Sequence, residues 1–174
     1  LGRGWTYDNL AEATAISIHV HRDFIHTFLQ FGREVLCPKY VKYPTTSDKM
    51  RDHTKEYEIA GFHGAVGSMD ACNIIIKKCS HRLEQNHIGD KPKQTYQSYN
   101  LTCNHRCQIL HTTPGHPAQW SDKTIVLYGE LAVGMRVGKL MRDNVFELLE
   151  QTDNGDVIKV RYKGSWFLVD NGYL

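Results

Sequence analysis

Hydrophobic residues near the N-terminus recur at helical spacing in two short segments. Residues 6–13 predict a first helix that begins after Thr6, a good N-cap. A second helix is predicted from Ser17 onward, because its apolar side chains fall on one face. Those side chains belong to Val20, Phe24, Phe28 and Phe31. With a turn at residues 14–16 between the helices, residues 1–36 have the outline of a helix-turn-helix.

Two interpretations of this helical segment stay open. In one, polar side chains near the start of the second helix face a DNA groove or its phosphates; they are His19, His21 and Arg22. In the other, the two helices form a hairpin that only packs on the main domain. Helix-turn-helix spacing without a dense basic face does not distinguish the two.

The next segment, residues 37–60, is mostly polar and contains two prolines. We interpret it as a linker with a short helix at residues 47–59. After the linker the pattern becomes strand-like. Residues 64–70 form a run of small and apolar side chains that ends on Asp70, and residues 73–77 are its continuation or the next strand.

The remaining pattern predicts a hairpin, a helix, a second hairpin and a final strand. Their ranges are, in that order, 97–113 with a turn at 104–106, 122–141, 146–162 with a turn at 153–156, and 166–170. The last strand is strongly apolar, which predicts burial, and it ends on Asp170. This mixture of strands and helices places residues 61–174 in the α/β (α+β) class.

Composition limits the architecture more than the function. A chain of 174 residues holds one domain with a real core, alone or with a small helical appendage. Its 41% hydrophobic and 23% charged residues are typical of a globular protein, and its formal charge of +2 is too small to identify a partner. No apolar stretch approaches the ~20 residues of a membrane span, and no signal peptide is evident. We therefore expect an intracellular protein without a membrane partner.

The five cysteines are odd in number and form no Cys-x-x-Cys pair, so we expect reduced thiols rather than a disulfide framework. Cys103 and Cys107 flank a predicted hairpin tip. Their Cys-x3-Cys spacing fits known zinc sites poorly, and we expect no structural zinc.

Asp70 and Asp170 each close a short apolar run and precede a turn of small or polar residues. Burying an ionised aspartate costs several kcal/mol unless a cation or hydrogen-bond donors compensate. Carboxylate oxygens suit Mg²⁺ or Mn²⁺, and two such ions held ~4 Å apart activate a nucleophile and stabilise the leaving oxygen. Spacing alone favours a plainer interpretation, because aspartates at strand ends are common turn formers.

Three motifs in order give these aspartates a more specific context. Residues 67–74, Gly-Ser-Met-Asp-Ala-Cys-Asn-Ile, resemble the G-S-[IM]-D-x-x-[HN] segment of PIF/Harbinger-type DDE transposases, and residues 77–80 resemble the W-K-N-C-P stretch of their plant-transposon branch. Residues 114–123 are similar to the P-G-S-x-x-D segment, although longer. Residues 169–173, Val-Asp-Asn-Gly-Tyr, match the D-[SGN]-G-Y segment. The resemblance covers residues 61–174, and the preceding helices are similar to the family's helix-turn-helix region.

The resemblance implies a divalent-metal-dependent DNA endonuclease or transposase that cleaves and joins phosphodiesters. Asp70 and Asp170 would be the first two of three acidic ligands to Mg²⁺ or Mn²⁺ in a two-metal site. The implied fold is an RNase H-like mixed sheet flanked by helices. In that fold the first aspartate lies on the central first strand, the next two strands form a hairpin, and the second aspartate ends the fourth strand.

The resemblance also implies partners and a location. DNA would be the substrate, and a separate Myb-like protein encoded by the same transposon would assist. The location would be nuclear in a eukaryote and otherwise intracellular.

Departures from the family pattern limit these expectations. Ala71, Asn73 and His116 stand where the family usually has Gly, His and Ser, but none of these positions is a metal ligand. The third acid of the family, carried on a later helix, has no match here, since the acids of residues 143–150 precede Asp170. We therefore expect a catalytic domain truncated after the second aspartate, incomplete at its C-terminus, and weakly active or inactive by itself.

Lesser candidates surround the two aspartates. Asp122 either orients a metal ligand or is the N-cap of the helix that follows it. Lys77, Lys78 and Arg82 form a basic cluster suited to holding phosphates beside Asp70. A solvated protein face explains the same cluster almost as well.

Two rival interpretations stay open. A domesticated or decayed transposase would bind DNA or a protein partner without cutting. An unrelated α+β domain would leave the two aspartates far apart.

Overall fold

A computed structural model describes residues 5–76, 80–89 and 94–173 of the chain. Its internal contacts divide the chain into two compact units, Leu1–Val41 and Lys42–Leu174. Among the described helices, none combines the length and the apolar character needed to cross a membrane.

The first unit contains the two predicted helices, α1 (Tyr7–Thr14) and α2 (Ile18–Phe31). Both predicted N-caps are confirmed. The hydroxyls of Thr6 and Ser17 each accept a hydrogen bond from the backbone N–H three residues later, at 3.2 and 3.4 Å. Ala15 makes the turn between the helices with a left-handed φ of 58°.

The helical path continues beyond α2, through a π-helical turn (Gly32–Leu36) into α3 (Cys37–Tyr40). It therefore extends past residue 37, where the polar linker was predicted to begin. The N–H of Cys37 bonds to the Gly32 carbonyl across this wider turn. A π-helical turn shifts all later side chains around the helix axis, and apolar spacing alone does not predict it.

The predicted apolar face of α2 is exposed. No residue of α1, α2 or α3 is buried, and the Phe24 side chain is 64% exposed. The rings of Phe24 and Phe28 stack on each other with centroids 6.3 Å apart. Within these three helices, local contacts and caps therefore take the place of a buried core.

The second unit mixes helices and strands. In chain order its elements are α4 (Ser47–Ile59), β1 (Ala65–Ile75), α5 (His81–His87), β2 (Tyr96–Cys103), β3 (Ile109–Thr112), β4 (His116–Pro117), α6 (Asp122–Leu127), α7 (Glu130–Arg136), β5 (Val145–Gln151), β6 (Val157–Lys163), β7 (Trp166–Leu168) and a 3₁₀ turn (Asn171–Tyr173). The short helix predicted inside the linker is confirmed as α4. It contacts β1, and its Thr54 and Tyr57 are buried.

A mixed sheet with the strand order β3–β2–β1–β7 forms the centre of this unit. β1, β2 and β3 pair antiparallel, β4 adds two residues to β2, and β7 pairs parallel with β1. The predicted hairpin of β2 and β3 is confirmed. The predicted second hairpin is β5 with β6, which pair with each other in a separate two-stranded sheet.

Of the two alternatives left open for residues 73–77, the structure shows the continuation, so Asp70 does not end a strand. β1 is one strand of 11 residues, in which Asp70 is the sixth. The strand continues because its pairing with β2 runs without interruption from Ser68–Cys103 to Ile75–Tyr96. The polar interruption at residues 70–73 therefore lies within a strand that backbone hydrogen bonds hold together.

The final strand is shorter and less buried than predicted. β7 ends at Leu168, its three residues are half-buried, and Val169 and Asp170 are exposed. Among the described residues β7 pairs with β1 alone, so only one of its edges is covered.

The core lies between the sheet and the helix α7. Val66 from β1, Leu131 from α7 and Met141 form a buried cluster, and Phe167 of β7 packs against it. The unit is thus a mixed α/β structure, in agreement with the predicted class. Side chains of both β1 and β7 pack in its core.

Candidate functional site

The parallel pairing of β1 and β7 places Asp70 and Asp170 at matching positions on two neighbouring segments of the chain. The last paired residues are Ser68 and Leu168, which lie opposite each other. Asp70 and Asp170 each follow two residues later. Because parallel strands run in the same direction, both aspartates lie just beyond the last β1–β7 pair, Asp70 within β1 and Asp170 after the end of β7.

A close backbone approach holds β1 at this position. A Cβ atom added to Gly67 would lie 2.7 Å from the Cys103 carbonyl oxygen of β2 and 3.2 Å from the Phe167 ring of β7. Only a residue without a side chain allows β1 to lie between these two neighbours.

Short hydrogen bonds fix both carboxylates. Oδ1 of Asp70 accepts a hydrogen bond from the N–H of Ala71 at 2.8 Å, and Oδ1 of Asp170 accepts one from the N–H of Gly172 at 2.9 Å. The second bond closes a turn of the kind that aspartate side chains favour, and it starts the 3₁₀ turn. Both side chains are exposed, so each keeps a free oxygen for a ligand.

Asp122 supplies a third carboxylate, which lies beside Asp170. A Cβ atom added to Gly172 would lie 2.7 Å from Oδ2 of Asp122 and 3.0 Å from Oδ1 of Asp170, so both carboxylates lie against this glycine. The prediction that Asp122 caps the following helix is wrong. Ser121 is the N-cap of α6, its hydroxyl accepting a hydrogen bond from Thr124 N at 3.3 Å, and Asp122 is the first helical residue.

The three carboxylates repel one another. Burial raises the pKa of Asp122, and the charges of Asp170 and Asp70 raise it further. No Lys, Arg or His among the described residues forms an ion pair with any of the three. The site therefore has an excess of negative charge that a bound cation would relieve.

Tyr173 and Asn100 anchor the 3₁₀ turn beside these acids. The Nδ2 group of the buried Asn100 on β2 donates a hydrogen bond of 2.6 Å to the Tyr173 hydroxyl oxygen. Burial raises the pKa of Tyr173, and the charges of Asp122, Asp70 and Asp170 act in the same direction. Sequence analysis missed Asn100, because a contact across 73 residues has no signature in local spacing.

The carboxylate oxygens are donor atoms of the type that divalent cations bind. Mg²⁺ and Mn²⁺ take carboxylate oxygens, and Mg²⁺ often uses only one or two of them while keeping bound waters. Asp70 and Asp170 offer exposed carboxylate oxygens of this kind, and Asp122 lies beside Asp170. In the described part of the chain, however, no group of three His, Cys, Asp or Glu side chains is close enough to hold one ion together.

The predicted DNA-binding residues of α2 contact neighbouring groups of the first unit or are exposed. His21 Nε2 is hydrogen-bonded to the Thr14 hydroxyl at 2.7 Å, and the Arg22 guanidinium lies 5.9 Å from the centre of the Tyr7 ring. His19 on α2 is exposed. In the second unit, Arg82 is exposed on α5, whereas the predicted residues Lys77 and Lys78 lie outside the described residues.

The chain matches no protein-family model, no curated protein and no solved structure. The resemblance to DDE transposases therefore rests on the motifs alone.

Proposed function

We propose that this chain carries the first two acidic metal ligands of a divalent-metal-dependent DNA endonuclease or transposase of the PIF/Harbinger DDE type. The observation that carries the proposal is the parallel pairing of β1 with β7. It aligns the two aspartates that the motifs single out, which are about 100 residues apart in the sequence.

Strand order supports an RNase H-like interpretation of the second unit. β1 is central, β1 to β3 form an antiparallel meander, and the strand that precedes the second aspartate lies parallel to β1 on its other side. The β5–β6 hairpin, inserted before β7, would be an addition to that core.

Asp70 and Asp170 share one role in the proposed chemistry, and Asp122 has another. When bound, Mg²⁺ or Mn²⁺ supplies Lewis acidity and activates water or a 3′-hydroxyl. Asp70 and Asp170 would hold the cations through their exposed oxygens, at backbone positions fixed by β1, β7 and the 3₁₀ turn. Asp122 would add negative charge beside Asp170 and orient water or the neighbouring carboxylate.

The proposal extends to partners. DNA would be the substrate, a separate Myb-like protein would assist, and the location would be nuclear in a eukaryote. These expectations come from the motif resemblance.

A binding module without catalysis is the second candidate function. One observation favours it: the described residues contain no three acidic, histidine or cysteine side chains that converge on one point. A domesticated or decayed transposase would keep the fold and bind DNA or a protein without a working metal site.

Direct measurement of Mn²⁺ binding tests the leading proposal. Loss of a free-Mn²⁺ signal in electron paramagnetic resonance reports binding by the full chain. We expect Asp70→Asn and Asp170→Asn each to weaken binding at least tenfold, because each removes one of few charged ligands. Circular dichroism checks that the variants are folded.

Asp153→Asn is the matched control, since Asp153 is an exposed carboxylate on the tip of the β5–β6 hairpin. It should leave Mn²⁺ binding unchanged. Equal binding by all four proteins would refute the metal site. A wild-type chain that binds DNA but no Mn²⁺ would favour the second candidate.

A further inference from the structure

Three aromatic rings cluster around the two ends of α6, the helix that begins at Asp122, and the proposed metal chemistry does not use them. They belong to His116 on β4, Trp120 in the following loop and Tyr128 at the end of α6. The ring centroids of His116 and Trp120 are 4.9 Å apart, with the planes at 22°. Those of Trp120 and Tyr128 are also 4.9 Å apart, at 35°.

The cluster is anchored on one side and open on the other. His116 is 9% exposed, Trp120 is half-buried, and Tyr128 is 62% exposed. Burial of apolar area is the main stabilising contribution of an aromatic side chain, so a ring this exposed adds little to the fold. The outer ring therefore presents aromatic surface to solvent.

The inner ring is uncharged near neutral pH. Burial lowers the pKa of His116, and its Nε2 atom has no hydrogen-bond partner among the described residues. A neutral imidazole stacked on Trp120 extends the aromatic surface without adding a cation. The cluster therefore suits a flat, uncharged ring system better than an anion.

The length of α6 gives the separation between the aromatic cluster and Asp122. Trp120 lies two residues before Asp122, and Tyr128 directly follows the last residue of α6. A helix of this length spans about 9 Å. At roughly 3.4 Å per base along a strand, a base at Tyr128 would lie two or three nucleotide steps from Asp122.

A cation for the phosphates lies on the neighbouring helix. The Gln119 side-chain amide donates a hydrogen bond of 2.8 Å to the Gln85 carbonyl, which ties α5 to the loop that carries Trp120. Arg82, three residues before Gln85 on α5, is exposed. Aromatic surface next to a cation is the combination by which proteins hold single-stranded nucleic acid.

We propose that Trp120 and Tyr128 form a stacking surface for an unpaired DNA base beside the carboxylate site. The inference rests on the proposed function for its ligand class, DNA. It adds that the strand near the carboxylates is held unpaired, with one base on the outer face of Tyr128 and a neighbouring phosphate near Arg82.

Binding of two labelled oligonucleotides to the full chain tests this inference. One is a fluorescein-labelled twelve-nucleotide oligo-dT; the other is an abasic strand of the same length and charge. Fluorescence anisotropy in EDTA gives the affinities without cleavage. We expect the wild type to bind oligo-dT at least fivefold more tightly than the abasic strand, because only the former has bases to stack.

Tyr128→Ala should weaken oligo-dT binding at least fivefold and leave abasic binding unchanged. Tyr128→Phe is the matched control, because it keeps the ring and removes the hydroxyl, and it should bind oligo-dT within twofold of the wild type. Tyr128 is exposed, so both variants should fold, as circular dichroism will verify.

Three results would overturn the stacking surface: equal binding of both probes by the wild type, unchanged oligo-dT affinity in Tyr128→Ala, or equal weakening by both variants. Failure of the proposed function is a separate result. It would show as absent Mn²⁺ binding, whereas the oligo-dT results would still establish the stacking surface.

Discussion

At the scale of single residues, Asp122 is subject to opposing electrostatic effects. It is the first residue of α6, where the helix dipole favours a negative charge. Burial and the charges of Asp170 and Asp70 disfavour it, and they raise the pKa of Asp122. The fold therefore carries an electrostatic cost at this residue whenever Asp122 is ionised.

Asp122→Asn should raise the melting temperature at pH 7 by about 1–3 °C in the absence of divalent cations. The folded chain keeps the Asp122 proton to a higher pH than the unfolded chain, whose pKa is about 3.9. Wild-type stability is therefore lost as the pH rises from about 4 through the raised folded pKa. Calorimetry at pH 7 and below pH 4 checks this, because the gain should be absent at the lower pH.

Asp153→Asn serves as the control for this measurement, because Asp153 is an exposed turn residue. A similar gain in this control, or a gain that persists below pH 4, would contradict the repulsion among the three carboxylates.

The sequence identifies part of the site residue by residue. Motifs around Asp70 and Asp170 single them out, and Asp122 lies within a third motif, residues 114–123. The contact of Asp122 with Gly172 and the bond from Asn100 to Tyr173 join residues distant along the chain. Periodicity and motif order describe neighbours in sequence, so they do not predict such contacts.

At the scale of elements, the β5–β6 hairpin has an anchored base and an exposed outer part. The Phe146 ring lies against Gly64, where an added Cβ would be 2.3 Å from it, and stacks on Tyr162 at 5.6 Å. Farther along the same strand, Leu149 is 74% exposed. The hairpin is therefore attached to the rest of the unit near Phe146.

Phe146→Ala should lower the free energy of unfolding by about 2–3 kcal/mol, since it removes a packed aromatic ring. Leu149→Ala, on the same strand, should change that free energy by less than about 0.5 kcal/mol, because the side chain is mostly in solvent. Urea denaturation followed by circular dichroism compares the two. Equal effects would show that Phe146 does not anchor the hairpin.

The sequence predicted the secondary-structure elements correctly where one hydrophobic pattern runs through a segment. It failed where backbone pairing or a π-helical turn overrides the local pattern. Alternation and turn residues located β2, β3, β5 and β6. In β1 the polar residues after Met69 predicted a possible break, but pairing with β2 carries the strand through them. The π-helical turn after Phe31 was missed because the same side chains also fit a regular helix.

At the scale of the whole molecule, three partly or fully buried histidines make stability depend on pH. Burial lowers the pKa of His53, His111 and His116 in the folded chain. The unfolded chain takes up these protons near the ordinary histidine pKa of about 6.5. Below that pH the unfolded state binds more protons, so stability falls as the pH falls.

We expect the free energy of unfolding to be about 1–2 kcal/mol lower at pH 5.5 than at pH 7.5. Urea titrations in the Asp122→Asn background remove the opposing contribution of that carboxylate. His111→Gln should reduce the difference in the free energy of unfolding between the two pH values. His26→Gln, at an exposed position on α2, should leave that difference unchanged. If the urea midpoint of unfolding did not change between pH 5.5 and 7.5, these three histidines would not make stability depend on pH.

The pairing of β1 with β7 also has a consequence for folding kinetics. Those strands meet only after a loop of about 100 residues has closed, and closing long loops is entropically costly and slow. The meander of β1, β2 and β3 needs much shorter loops and can assemble earlier. Asp70 and Asp170 therefore come together only when β7 docks, so a nascent or partly refolded chain would have a sheet but no paired aspartates. Metal affinity gained during refolding would then mark the final step of assembly.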